Sequence, residues 1–105
     1  MGVGKASLVA YRPQDLPYPP STFPAHHHWA VTPAEAFGAA LRRHRVAGAL
    51  TQEDLAFESG VDRTFIARIE SGKRQATITT LLHLTRALGV PAADVVAEVE
   101  RDAAE

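Results

Sequence analysis

The stretch from Gln52 to Gly72 constrains the fold more than any other part of the chain. Gln52 opens a helix, Ala56 falls one turn later, Gly60 follows four residues on, and Ile66 and Ile69 share one face of a second helix. A small residue at Ala56 lets two helices cross closely. Gly60 can take the positive φ that a sharp turn needs, and the isoleucines seal the inner side. This is the spacing of two short helices locked across a tight turn. The outer face of the second helix carries Arg63, Thr64 and Arg68, positions from which a helix lying in a DNA major groove could reach base edges.

The surroundings of this element are helical as well. Thr32, Pro33 and Glu35 give a cap, a proline at the first helical position and a matching glutamate, so a helix is expected from there to about Val46, with Phe37, Leu41 and His44 on its inner stripe. Arg42 and Arg43 are expected to face outward. A histidine on an inner stripe is expected to be a hydrogen-bonded, half-buried side chain and not a ligand. Thr51, with Asp54 in the matching position, caps the second helix and Asp62 the third. Phe65 sits at the core margin, where it could pack or touch a thymine methyl, packing being the expectation. Thr77 caps a fourth helix whose Ile78, Leu81, Leu82, Thr85 and Leu88 follow helical spacing up to Gly89. A last helix begins near Pro91, with Val95, Val96 and Val99 on one side to complete the core or form a dimer seam.

The first 31 residues differ in kind. Five prolines between Pro13 and Pro24 exclude a helix, and four of the seven aromatic residues of the chain (Tyr11, Tyr18, Phe23, Trp29) lie there. The expectation is an extended arm over residues 1–31, part of which docks on its own domain or on a partner, followed by one helical domain over residues 32–105. Ser7 to Tyr11 is a candidate short strand. The run His26, His27 and His28 lacks a neighbouring carboxylate or thiol to complete a metal shell and reads as a polar hinge before Trp29.

Composition excludes several classes. The absence of cysteine rules out disulfide frameworks and thiolate zinc sites, and no apolar run is long enough to span a bilayer, so a cytoplasmic protein with no membrane partner is expected. The formal net charge of −1 conceals an uneven distribution: seven basic residues against five acidic ones between Arg42 and Arg74, then Arg101 against five carboxylates from Asp94 onward. A basic face beside the two short helices and an acidic tail elsewhere would follow, against the alternative of ordinary mixed surface charge. No nucleophile with a base, glycine-rich phosphate loop or carboxylate dyad can be assembled, so no enzyme, cofactor or metal is expected.

Phe37-Gly38, Leu41, Arg45, Leu50-Thr51-Gln52, Leu55-Ala56, Gly60-Val61, Ile66, Ile69-Glu70, Gly72 and Leu88-Gly89-Val90 together resemble the XRE-type helix-turn-helix family, the lambda repressor-like DNA-binding domains. The resemblance spans roughly Ala36 to Val99 and implies an all-α, five-helix fold. Val61 to Ile66 is further similar to the recognition helices of restriction–modification controller proteins. His44 stands where the family usually has leucine, Ala49 where glycine often ends the first turn, and Ala76 where proline is frequent.

The resemblance also implies roles. Arg63, Thr64 and Arg68 would read bases. Thr51, Gln52, Ser71, Lys73 and Arg74 would hold phosphates, with Gln52 also bracing the recognition helix. Arg45 and Glu70 would form an internal salt bridge. The implied function is a sequence-specific transcriptional regulator, nucleoid-associated, that binds double-stranded DNA as a homodimer on a palindromic operator read by the helix from Asp62 to Ser71. Val95, Val96 and Val99 are candidates for the dimer seam. The alternative is an antitoxin or other interaction module that holds a protein partner through its N-terminal arm.

Overall fold

The structure, a computed structural model, describes residues 29–104. Among these residues lie five α-helices, α1 (Pro33–Ala47), α2 (Gln52–Ser59), α3 (Arg63–Glu70), α4 (Ile78–Leu88) and α5 (Ala92–Asp102), and no strand. The candidate strand at Ser7 to Tyr11, the proline cluster and the run His26 to His28 fall outside the described residues.

Local chemistry sets most of the helix starts. The Thr32 hydroxyl accepts from the Glu35 N–H (3.0 Å) and the Glu35 carboxylate accepts from the Thr32 N–H (2.9 Å), satisfying two donors that a helix start otherwise leaves open. Thr51 and Asp54 repeat the reciprocal cap on α2 at 2.9 Å in each direction. Hydrogen bonding from the Thr51 backbone N–H, and then from the Thr51 side chain, holds the Asp54 carboxyl below its ordinary range. Asp62 and Thr77 cap α3 and α4 through single side-chain acceptors, whereas Pro91 starts α5 with no side-chain cap. Gly60 ends α2 at φ 75°, the left-handed conformation that lets α3 turn back across α2.

Packing converts these helices into one core. α1 lies against α3 and α5, α2 against α3 and α4, and α4 against α5. Phe37, Ala40 and Leu41 of α1, Leu55 of α2, Ile66 and Ile69 of α3, Leu84 of α4 and Val95 of α5 form one buried cluster, with Ala56, Val61 and Phe65 packed around it. Phe65 therefore packs, as expected. α1 can approach α3 this closely only because residue 38 is glycine: a Cβ there would lie 2.9 Å from the Glu70 carbonyl oxygen and closer still to that of Ile69.

Two sequence expectations need correction. On α4, Ile78 is 72% exposed and Leu82 37%, while Leu84, absent from the expected stripe, is fully buried beside Thr85. The core-facing line runs through Leu81, Leu84, Thr85 and Leu88, offset from the one expected. On α5 the valine stripe divides: Val95 is only 1% exposed and belongs to the protomer's own core, Val99 packs at its edge, and Val96 is 42% exposed. Val95 is thus unavailable to a dimer seam.

The two ends of the described chain meet. Val31 and Ala104 exchange backbone hydrogen bonds of 3.0 Å in each direction, forming a lone antiparallel bridge across the end of α5. Trp29 lines a shallow groove there with Pro33, Val96, Val99, Glu100 and Ala103. His44, half-buried on α1, makes a 2.8 Å hydrogen bond with Glu98 of α5, and Arg43 donates to Glu98 (2.9 Å) and Asp102 (3.4 Å). The unexpected histidine is therefore explained by a carboxylate 54 residues away.

Candidate nucleic-acid interface

α3 is amphipathic because its two isoleucines, three residues apart, anchor one face in the core and leave the other open. On the open side stand Arg63, Thr64 and Arg68, all exposed. Among the described residues none of these three side chains has a hydrogen-bond or ion-pair partner. They project from a helix whose orientation is fixed elsewhere and retain their full donor capacity.

That fixing comes from the C-terminal end of α3. Arg45 of α1 donates from Nε to Glu70 Oε2 (2.6 Å), from Nη2 to Glu70 Oε1 (2.9 Å) and from Nη1 to the Leu50 carbonyl (2.8 Å). Gln52, the first residue of α2, donates from Nε2 to Glu70 Oε1 (3.1 Å). One carboxylate thereby ties α1, the α1–α2 turn and the start of α2 to the end of α3. The side chains of Arg45 and Glu70 are only 12% and 5% exposed, and the two parallel bonds give this pair the planar fork geometry of a strong charge-assisted contact. The hydrogen bond donated to Glu70 holds the Arg45 guanidinium above its ordinary pKa, against the opposing effect of burial.

The α1–α2 turn delivers Thr51 and Gln52 beside α3. Thr51, Gln52 and Arg63 line one concavity of about 540 Å³ together with Arg45, Leu50 and Glu53. Among the described residues, the backbone N–H groups of Gln52 and Glu53 have no partner, so α2 presents open donors and the positive end of its dipole at this surface. After α3, the Ser71 hydroxyl donates to the Arg68 carbonyl (3.0 Å), as does the Lys73 N–H (2.9 Å), and this folds the loop back under the helix end. The Ser71 hydroxyl proton is thus already engaged. Lys73 and Arg74 are exposed on the loop.

A second, smaller concavity of about 260 Å³ joins Gln52 and Ser71 to Arg42, Arg45, Ala67 and Glu70. Arg42 was not among the expected site residues. The signal that could have found it is its position one turn before Arg45, which places both arginines on one face of α1. Among the described residues, no three His, Cys, Asp or Glu side chains converge as a metal shell would require, and no helix is long and apolar enough to cross a membrane.

A helix-turn-helix family model matches residues 41–95, which takes in all of α2, α3 and α4 and parts of α1 and α5. An HTH-type transcriptional regulator of Sinorhizobium fredii is 38% identical over 58 residues, covering 55% of this chain and 71% of that protein. The control protein C.BamHI of Bacillus amyloliquefaciens is 37% identical over 60 residues, covering 56% and 74%. Among solved structures, the restriction–modification controller protein C.AhdI of Aeromonas hydrophila is 37% identical with a TM-score of 0.58, covering 59% of this chain and 94% of that one. The clp gene regulator ClgR of Corynebacterium glutamicum is 33% identical with a TM-score of 0.65, covering 69% and 92%.

Proposed function

The chain belongs to the XRE-type helix-turn-helix family and is a DNA-binding transcriptional regulator, and we propose that it binds as a homodimer to a palindromic operator whose half-sites are read by Asp62 to Ser71. The observation that carries this reading is the unpaired set Arg63, Thr64 and Arg68 on a helix clamped in place by Glu70. Arginine can donate two hydrogen bonds to the O6 and N7 of guanine, and threonine can donate, accept or offer a methyl to thymine, so the three residues suffice for a short half-site.

Phosphate contacts would come from the open N–H groups at the start of α2, from Thr51 and Gln52, and from Lys73 and Arg74 on the loop after α3. These contacts set register and salt dependence and carry no sequence information. Ser71 would join them only by turning its hydroxyl away from the Arg68 carbonyl. Arg45 and Glu70 serve to position the others.

Dimerisation is supported by exposed apolar side chains on α4 and α5, namely Ile78, Leu82 and Val96, with Val99 at the edge. One recognition helix alone grips DNA weakly, and a two-fold pair would place two copies of α3 in successive major grooves roughly 34 Å apart. Sedimentation of the wild type and of Val96→Glu tests this: a dimer that dissociates on substitution is expected, and a wild type that stays monomeric on DNA refutes it. The alternative of an interaction module acting through the arm concerns residues that lie mostly outside those described.

Footprinting on the DNA upstream of the protein's own reading frame, at two salt concentrations and against a scrambled duplex, tests the central claim. A symmetric protected site that survives the higher salt is expected. Arg68→Ala should weaken that site by about 1–3 kcal/mol and relax preference at one position of each half-site. Unchanged binding would remove Arg68 from the reading set.

A further inference from the structure

We propose that Arg42, in the C-terminal half of α1, is a DNA phosphate-binding residue that carries the protein–DNA contact from the helix-turn-helix onto α1. The proposal rests on the DNA-binding reading above and adds a site that neither the motif nor its spacing assigns.

Three arginines lie within four residues on α1, and the structure sorts them by partner. Arg45 is held by Glu70 and by the Leu50 carbonyl. Arg43 is held by Glu98 and Asp102 of α5. Arg42 is exposed, and among the described residues it has neither an ion-pair partner nor a side-chain hydrogen bond. It lines the small concavity whose other walls are Gln52, Ala67 and Ser71, with Arg45 and Glu70 in contact with one another at its base. A free guanidinium therefore stands beside Gln52, the residue at the start of α2.

The charge at this place favours an anion. Glu70 is the one carboxylate lining the concavity, and it already accepts from Arg45 on both oxygens and from Gln52, so its charge is compensated. Gln52 uses one of its two amide hydrogens on Glu70 and keeps the other. A phosphodiester at the rim would find that hydrogen, the open N–H groups at the start of α2, and the Arg42 guanidinium, whose fork geometry suits two phosphate oxygens. DNA presents a run of such phosphates along each strand. A strand contacting the start of α2 would pass Arg42 next.

The test compares three full-length variants, Arg42→Gln, Arg42→Lys and Arg43→Gln, with wild type. The probes are a duplex carrying the sequence upstream of the reading frame and a scrambled duplex of equal length, titrated over a range of salt concentrations. Removing one phosphate contact lowers the salt slope by about 0.9 per protomer, which at 0.15 M salt, for a contact that contributes nothing at 1 M, is about a fivefold loss of affinity per protomer. Arg42→Gln should show this loss on both duplexes alike, with an unchanged melting temperature, because Arg42 makes no internal bond. Arg42→Lys should recover most of the slope. Arg43→Gln, which removes the same charge one residue away, should leave the slope near wild type.

Equal effects of the two glutamine variants would reduce Arg42 to bulk charge and overturn the proposal. A loss confined to the upstream duplex would make it a base reader, also overturning it. A wild type that binds neither duplex would refute the DNA-binding reading itself, and this inference with it.

Discussion

Replacing Gly38 with alanine tests whether the approach of α1 to α3 sets the position of the reading helix. The added Cβ would meet the carbonyl oxygens of Ile69 and Glu70, the latter at 2.9 Å. Both obstructing atoms are backbone, so no side-chain rotation relieves the overlap and the helices must separate by roughly 1 Å to restore ordinary contact. Alanine in a helix interior gains up to about 1 kcal/mol over glycine in propensity. Overpacking costs about 1–3 kcal/mol and more where backbone must move. Overlap should win, for a net loss of about 2 kcal/mol, and in a domain of this size each kcal/mol shifts the melting temperature by about 4–8 °C. A fall of about 10 °C by circular dichroism is expected. DNA affinity should fall as well, because the displaced carbonyls belong to the same end of α3 that carries Glu70. Two other glycines separate crowding from backbone conformation. Gly48→Ala, at φ −86° with its nearest neighbour atom 3.4 Å away, should be neutral or slightly stabilising. Gly60→Ala, at φ 75° with no atom within 4 Å, should lose about 1–2 kcal/mol through backbone strain alone. A Gly38→Ala protein that melts at or above wild type would refute the close-approach argument.

Three further outcomes follow from the same geometry. Glu70→Ala leaves Arg45 buried without its counter-charge and Gln52 without its acceptor, so a loss of about 3–5 kcal/mol is expected in urea unfolding, and an effect below 1 kcal/mol would place this pair with surface ion pairs. Ala49 holds φ 59°, a left-handed conformation rare for a residue with a Cβ, so Ala49→Gly should raise stability by up to about 1 kcal/mol, and a loss would show that the methyl group matters more than the strain. The Glu98 carboxyl is held below its ordinary range by the hydrogen bond to His44 and then by Arg43, so its contribution to stability is present above the unfolded value near 4.3 and is lost as pH falls through the lower folded value. The stability difference between wild type and Glu98→Gln should therefore shrink as pH falls below about 4.3; a difference that grows below that pH would contradict the assignment.

The sequence revealed whatever depends on residues within a turn or two of each other. The reciprocal caps at Thr32 and Thr51, the turn at Gly60 and the inner isoleucines of α3 are local consequences of side-chain chemistry, and the structure has them. What was hidden depends on partners far along the chain. His44 broke the aliphatic stripe of α1 because its partner Glu98 is 54 residues away on α5. Gly38 carried no local signal, since a glycine inside a helix is ambiguous until the crossing helix is placed. α4 was misread because Leu81, Leu82 and Leu84 offer two overlapping helical stripes, and only the positions of α2 and α5 decide which one is inside. The valine stripe of α5, read as completing the core or forming a dimer seam, divides for the same reason. It was split by the core between Val95 and Val96.

A chain with a formal net charge of −1 can still bind DNA if its carboxylates are already engaged by the protein's own donors where the phosphates would lie. Near the start of α2 and along α3, Asp54 caps Thr51, Asp62 caps the Phe65 N–H, and Glu70 holds Arg45 and Gln52. On α5, Glu98 and Asp102 engage Arg43 and His44. Among the described residues, Arg42, Arg63, Arg68, Lys73, Arg74 and Arg86 are left with no carboxylate partner, and all but Arg86, on α4, lie on α1, on α3 and on the loop after it. Glu53 and Glu58 of α2 remain exposed and unpaired. If α3 reads the groove as proposed, an acidic outer face on α2 would oppose tilting of that face toward the backbone, because its free carboxylates would then meet phosphate. Glu53→Gln together with Glu58→Gln should then raise affinity for scrambled DNA more than for the operator, since only loosely oriented complexes sample that tilt. Equal gains on both duplexes would show that these carboxylates act on DNA only through net charge.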